Sequence, residues 1–141
     1  MTIHRFATAG FPVQPADRTY RAGVCNIGPV EIARRRRTGV TMTIATVLLL
    51  AVLVAIHAPT PLRLIVFFPA AVAASGFLQA WLRFCAGFGW LGVFNFEDVG
   101  TTVSVADADA RRRDRARAIR VGLACALVGA LAAALAVVLP A

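Results

Sequence analysis

Three cysteines, two histidines and seven acidic residues are the groups in this 141-residue chain that could do chemistry beyond packing. Cys25 and Cys85 are candidate reactive thiols, a pair that could carry sulfur or electrons between partners. Cys125 lies in an unbroken apolar run. No Cys-x-x-Cys and no Cys/His spacing suited to zinc is present. His57, two residues before Pro59, is a single imidazole of the kind that can ligate haem or a chlorophyll-type pigment. Such ligands usually have a small residue one turn away, whereas Leu53 stands four positions before His57. There is no Ser/His/Asp set, no carboxylate pair at membrane depth and no glycine-rich phosphate loop. These residues point to a non-enzyme without a cofactor or metal, and leave a Cys25/Cys85 thiol carrier as an alternative.

Composition decides what must position these groups. Residues A, V, I, L, M, F, W, Y and C make up 59% of the chain and charged residues 16%, with net charge +8. Mean hydropathy is +0.73. A soluble domain is nearer half apolar and a quarter charged, and disorder requires the opposite bias. All fifteen basic residues are arginine. On so apolar a chain they suggest a bilayer with its charges in the loops rather than nucleic acid.

The expected fold is all-α and polytopic, with three transmembrane helices at about 40–58, 64–82 and 119–139. Each is close to the roughly 20 residues needed to cross about 30 Å of hydrocarbon. Pro59 and Pro61 force a tight reversal between the first two. Arg5, Arg18, Arg21 and Arg34 to Arg37 precede the first span, and Arg83, Arg111 to Arg113, Arg115 and Arg117 lie between the second span and the third, with Arg120 at the start of the third. Fourteen arginines against seven acids leave about +7 on one side, and Arg63 alone gives +1 on the other. The positive-inside rule then places the N-terminus in the cytoplasm and the C-terminus outside. No cleaved signal peptide is expected, because the first apolar run begins after residue 39. The predicted location is the bacterial inner membrane.

Four regions follow: an irregular cytoplasmic arm at 1–24 containing His4, a hairpin domain at 25–96, a loop and helix start at 97–118, and the third span with its tail at 119–141. Gly28-Pro29 begins a short amphipathic juxtamembrane helix, with Asn26 or Gly28 as cap. Glu31 stands in ion-pair register with Arg35. Val30, Ile32 and Ala33 would face lipid, and Arg34, Arg35, Arg36 and Arg37 would meet anionic headgroups. From Leu64 to Phe96 the only charge is Arg83, so the helix should break at Gly87, Gly89 or Gly92. Trp81, Phe84, Phe88, Trp90, Phe94 and Phe96 would form an interfacial aromatic belt on an interfacial or shallow re-entrant segment. Asp107 or Asp109 caps a helix running into the third span, with Asp107–Arg111 and Asp109–Arg113 pairs; Arg112 completes that basic cluster.

Two stripes could mediate helix contacts. Ala71, Ser75, Gln79 and Arg83 share one face of span two. Gly122, Ala126, Ala130 and Ala134 form a small-residue ridge on span three, for span one, span two or another protein.

The segment Asn26-Ile27-Gly28-Pro29-Val30-Glu31-Ile32-Ala33-Arg34, a hairpin, then Phe84-Cys85-Ala86-Gly87-Phe88-Gly89-Trp90-Leu91-Gly92-Val93-Phe94-Asn95 resembles the YgaP-like transmembrane domain family. The likeness covers about residues 25–96. It implies a small bacterial inner-membrane two-helix domain, with Cys85 at the family's cysteine and Gly92 to Asn95 at its closing segment. Ala86 stands where the family has proline, Glu31 is one position along from the usual aspartate, and the third span is additional. Some members anchor a sulfurtransferase domain, for which this chain has no room. The leading expectation is a non-catalytic accessory or assembly subunit of a larger membrane complex, respiratory or photosynthetic. Its partners would be the bilayer with its anionic lipid, and other membrane subunits or copies of itself. A holin-like pore former is the third expectation.

Overall fold

The structure, a computed structural model, describes residues 19–140. The expected irregular arm lies outside the described residues up to position 18, His4 included. Three helices are long and apolar enough to cross a membrane, and the chain is a helical multi-pass membrane protein.

Helix α1 spans Pro29–Ala55, with Gly28 as N-cap and Pro29 in the first turn. Pro29 lacks the amide hydrogen that a first-turn residue cannot use in the helix anyway. The expected juxtamembrane helix is therefore not a separate element: nothing between Arg34 and Val40 breaks the backbone, and it runs on into the span. The expected Glu31–Arg35 pair forms, and Val30 and Ala33 are exposed as lipid-facing residues would be. Glu31 is buried, and it pairs with Arg35 at 3.7 Å and Arg34 at 3.6 Å. At 1.5 Å per residue α1 is about 40 Å long, so its arginine-bearing turns extend past hydrocarbon about 30 Å thick.

The chain reverses through His57, whose φ of 51° is left-handed, and enters α2 at Thr60–Arg63. A 3-10 turn at Leu64–Val66 leads into α3 at Phe67–Leu82. Pro69 has no N–H for the carbonyl four residues back, and the tighter turn lies where that bond is missing. Helix α3 ends at Arg83, another left-handed residue at φ 52°. A short α4 follows at Ala86–Leu91. The break thus comes at Arg83 to Cys85, before the glycines expected to cause it. Gly87 and Gly89 lie within α4, and Gly92 (φ 71°) ends it.

Two short strands, β1 at Val93–Phe94 and β2 at Val103–Ser104, pair antiparallel. They are a small addition to the helical fold, and β2 lies in the segment expected to be a loop. Helix α5 then runs unbroken over Ala108–Val138, its N-cap Asp107 accepting a hydrogen bond from the Ala110 amide at 2.9 Å. The expected Asp107–Arg111 and Asp109–Arg113 ion pairs do not close among the described residues. Arg111 donates instead to the Val105 carbonyl at 3.1 Å.

Helix α3 lies between α1 and α5, packing on both, while α1 and α5 meet little except at the end opposite the arginine clusters. There Leu53, Ala58, Val66 and Ala136 form one small core. Phe84, Ala118, Val121 and Cys125 form another at the arginine-rich end. Lipid gives no hydrophobic drive for helix association, so close backbone approach must supply dispersion contacts. Two glycines permit it. A Cβ on Gly76 would fall 2.5 Å from the Gly39 nitrogen, and one on Gly129 would fall 2.8 Å from the Phe67 carbonyl oxygen.

Candidate functional site

The buried polar groups concentrate at the arginine-rich end. Asn26, Glu31, Asn95 and Asp114 are each at most 1% exposed. Asn26 is fixed by its side-chain amide, which donates to the Cys85 carbonyl at 3.0 Å and accepts from the Cys85 amide at 2.7 Å. Its own amide donates to the Arg83 carbonyl at 3.1 Å, so a helix-end carbonyl gains a partner. Asn95 donates from its backbone to Asn26 and accepts from the Gly28 amide, bridging the two segments in parallel. Its side chain accepts from the Glu97 amide at 2.9 Å and donates to the Asp98 carbonyl at 2.9 Å. The chain before α1 is thereby tied to the break after α3 and to the loop before α5.

Asp114 provides a second tie. One carboxylate oxygen accepts from the Tyr20 hydroxyl at 2.7 Å and the other from the Gly23 amide at 2.6 Å. Burial first, and then the Asp114 carboxylate, raise the Tyr20 phenol well above its ordinary value. Tyr20 also stacks on Phe94, ring centroids 4.8 Å apart. Together these contacts make a lock across segments far apart in sequence, with every buried carboxamide satisfied.

The two candidate thiols lie inside this lock. Cys85 is 3% and Cys25 is 5% exposed, and both are reduced. Arg35 Nη2 donates to Cys85 Sγ at 3.0 Å, with the Glu31 carboxylate on its other side. Cys25 Sγ donates to the Ile27 carbonyl at 3.8 Å. Cys125 is buried in the α3–α5 seam. His57 is exposed at the opposite turn, and no metal-binding group of His, Cys, Asp or Glu occurs among the described residues.

The arginines divide by environment. Arg35 turns inward, whereas Arg34, Arg36, Arg37, Arg111, Arg112 and Arg113 are exposed. Arg36 and Arg83, with Trp81, line a groove of about 590 Å³ between the ends of α1 and α3. Arg83 therefore leaves the expected polar stripe, because the left-handed turn ends the helix at that residue. The rest of the stripe holds: Ser75 and Gln79 are hydrogen-bonded to each other, and Gln79 accepts from the Ala86 amide at 3.2 Å. The aromatic segment is not one belt. Trp81 and Trp90 are exposed, but Phe84 is fully buried as a core residue against Gly89.

The small-residue ridge is also corrected in its intramolecular role. Helix α5 packs on the rest of the chain through Val121, Cys125, Gly129 and Ala133, one position before the expected series. Gly122, Ala126, Ala130 and Ala134 face outward, and a Cβ on Gly122 would meet nothing within 4 Å.

Arg63 was the feature least visible in the sequence. It is 3% exposed. Its Nε donates to the Ala58 carbonyl at 2.9 Å, and its Nη1 to the Leu139 carbonyl at 2.7 Å and the Ala136 carbonyl at 3.3 Å. The lone charge of the reversal is a cap for the last turn of α5, where cations are favoured. Its only sequence signal is an arginine beside two prolines with no acid near it. No family profile, curated protein or solved structure matches the chain.

Proposed function

We propose that this is a non-catalytic packing or assembly subunit of a larger complex in the bacterial inner membrane, oriented with its arginine-rich end in the cytoplasm. The observation that carries the reading is the outward face of α5. Gly122, Ala126 and Ala130 are exposed on a spanning helix whose other face is already packed on α3. A small-residue ridge allows another helix to approach closely, and such packing drives association where lipid offers no hydrophobic gain. The polar lock supports this role by fixing the three spans at one end, so that α5 is presented as a rigid surface. The resemblance to YgaP-like domains fits the same reading, since the segments that carry it are those joined by Asn26, Cys85 and Asn95.

A photo-crosslinking side chain at Ala126, in cells, tests this reading. Crosslinks to another membrane protein or to a second copy are expected, and crosslinks to lipid alone would overturn it.

A thiol or sulfur carrier is a second reading, supported by the Arg35 contact to Cys85 Sγ at 3.0 Å. It requires Cys85 to react with a membrane-permeant maleimide in the folded protein. Labelling only after denaturation would remove it.

A further inference from the structure

We propose that the groove between the ends of α1 and α3 is a binding site for the phosphate-bearing headgroup of an anionic phospholipid, held by Arg36 and Arg83 beneath Trp81. The groove measures about 590 Å³, and its apolar lining comprises Ile32, Ala33 and Ala80. Arginines from the ends of two different helices line it together with aliphatic residues and a tryptophan. That combination suits a molecule with a charged head and an apolar body. The position is appropriate as well. Trp81 is 78% exposed in the last turn of a spanning helix, where indoles settle at headgroup level. Arg36 lies in the second turn of α1 and Arg83 closes α3, so both stand at the same helix ends as Trp81, and the occupant comes from the surrounding leaflet.

Arg83 adds a second observation. It occupies a left-handed position at φ 52° that closes α3, where glycine is the usual residue and any other side chain is strained. The Asn26 amide, which donates to the Arg83 carbonyl at 3.1 Å, fixes that backbone, and the fixed backbone sets Arg83 on the lining of the groove. The proposal requires only that the bundle lie in a bilayer. It stands or falls separately from the packing role of α5.

The test uses Trp81 as reporter. The chain has two tryptophans, and Trp90→Phe leaves only Trp81. This variant is reconstituted in mixed phosphatidylcholine and phosphatidylglycerol vesicles, with brominated acyl chains on one lipid or the other. Trp81 quenching is expected to favour brominated phosphatidylglycerol beyond its share of the bilayer. Arg36→Gln and Arg83→Gly should each weaken that preference about fivefold, and the double variant should abolish it. Arg83→Gly also relieves the backbone, so retained helicity and melting temperature show that the loss is not unfolding. Equal quenching by the two lipids would overturn the proposal. So would a preference that survives in the folded double variant, or one abolished by millimolar inorganic phosphate, which would identify a free anion as the occupant.

Discussion

Asp114 shows how one residue holds distant segments together. Its carboxylate serves a hydroxyl 94 positions away and an amide 91 positions away. Replacing it by alanine leaves both donors without their partner and is expected to cost about 2–4 kcal/mol in thermal or denaturant unfolding. The pH dependence is equally specific. The folded state holds the Tyr20 proton more tightly than the unfolded chain does. The associated stability is complete below the ordinary phenol value of about 10 and declines as pH rises above it. Tyr20 is the only tyrosine, so phenolate absorbance near 295 nm follows it directly. Its titration should lie above that of a free phenol. Asp114→Asn should lower it only partway, because burial is the larger cause. Arg63 is the corresponding residue at the other end. Arg63→Met deprives three carbonyls of their donor, and a loss of about 2–4 kcal/mol in the same unfolding measurement is expected.

At the scale of elements, the helix crossings set the spacing. Gly76→Val would place side-chain atoms on the Gly39 and Arg35 backbones, and α1 and α3 would have to separate. A loss of at least about 1–3 kcal/mol is expected, checked by thermal unfolding in detergent. The spans themselves were legible because a run of about 20 apolar residues suits little besides a membrane crossing. The α5 N-cap was legible because aspartate before an Ala/Arg run has one obvious task. The packing face of α5 was not. In a span built of Ala, Leu and Val, the 121/125/129/133 and 122/126/130/134 series are almost equally small, and only the position of Phe67 and Ala71 distinguishes them. The end of α3 was missed for a related reason: glycine suggests a break in the sequence, but the left-handed residue is Arg83, held there by contacts from Asn26.

At the scale of the whole molecule, the +8 charge and the 59% apolar content describe a row of three helices joined firmly at one end. The sequence disclosed the separation of charge but not the lock. Tyr20, Asn26, Asn95 and Asp114 are scattered polar residues whose meaning lies in pairings across 59 to 94 positions, and one sequence does not specify such pairs. The row leaves the outer face of α5 open, and the proposed role depends on that face. The most direct test is purification from native membranes in mild detergent, comparing the wild-type chain with an Ala126→Leu/Ala130→Leu variant. Both positions face outward, so the variant should keep its melting temperature. The wild type is expected to elute in an assembly larger than one chain, and the variant as a folded lone chain. A wild type that elutes alone, or a variant that keeps the whole assembly, would contradict the account.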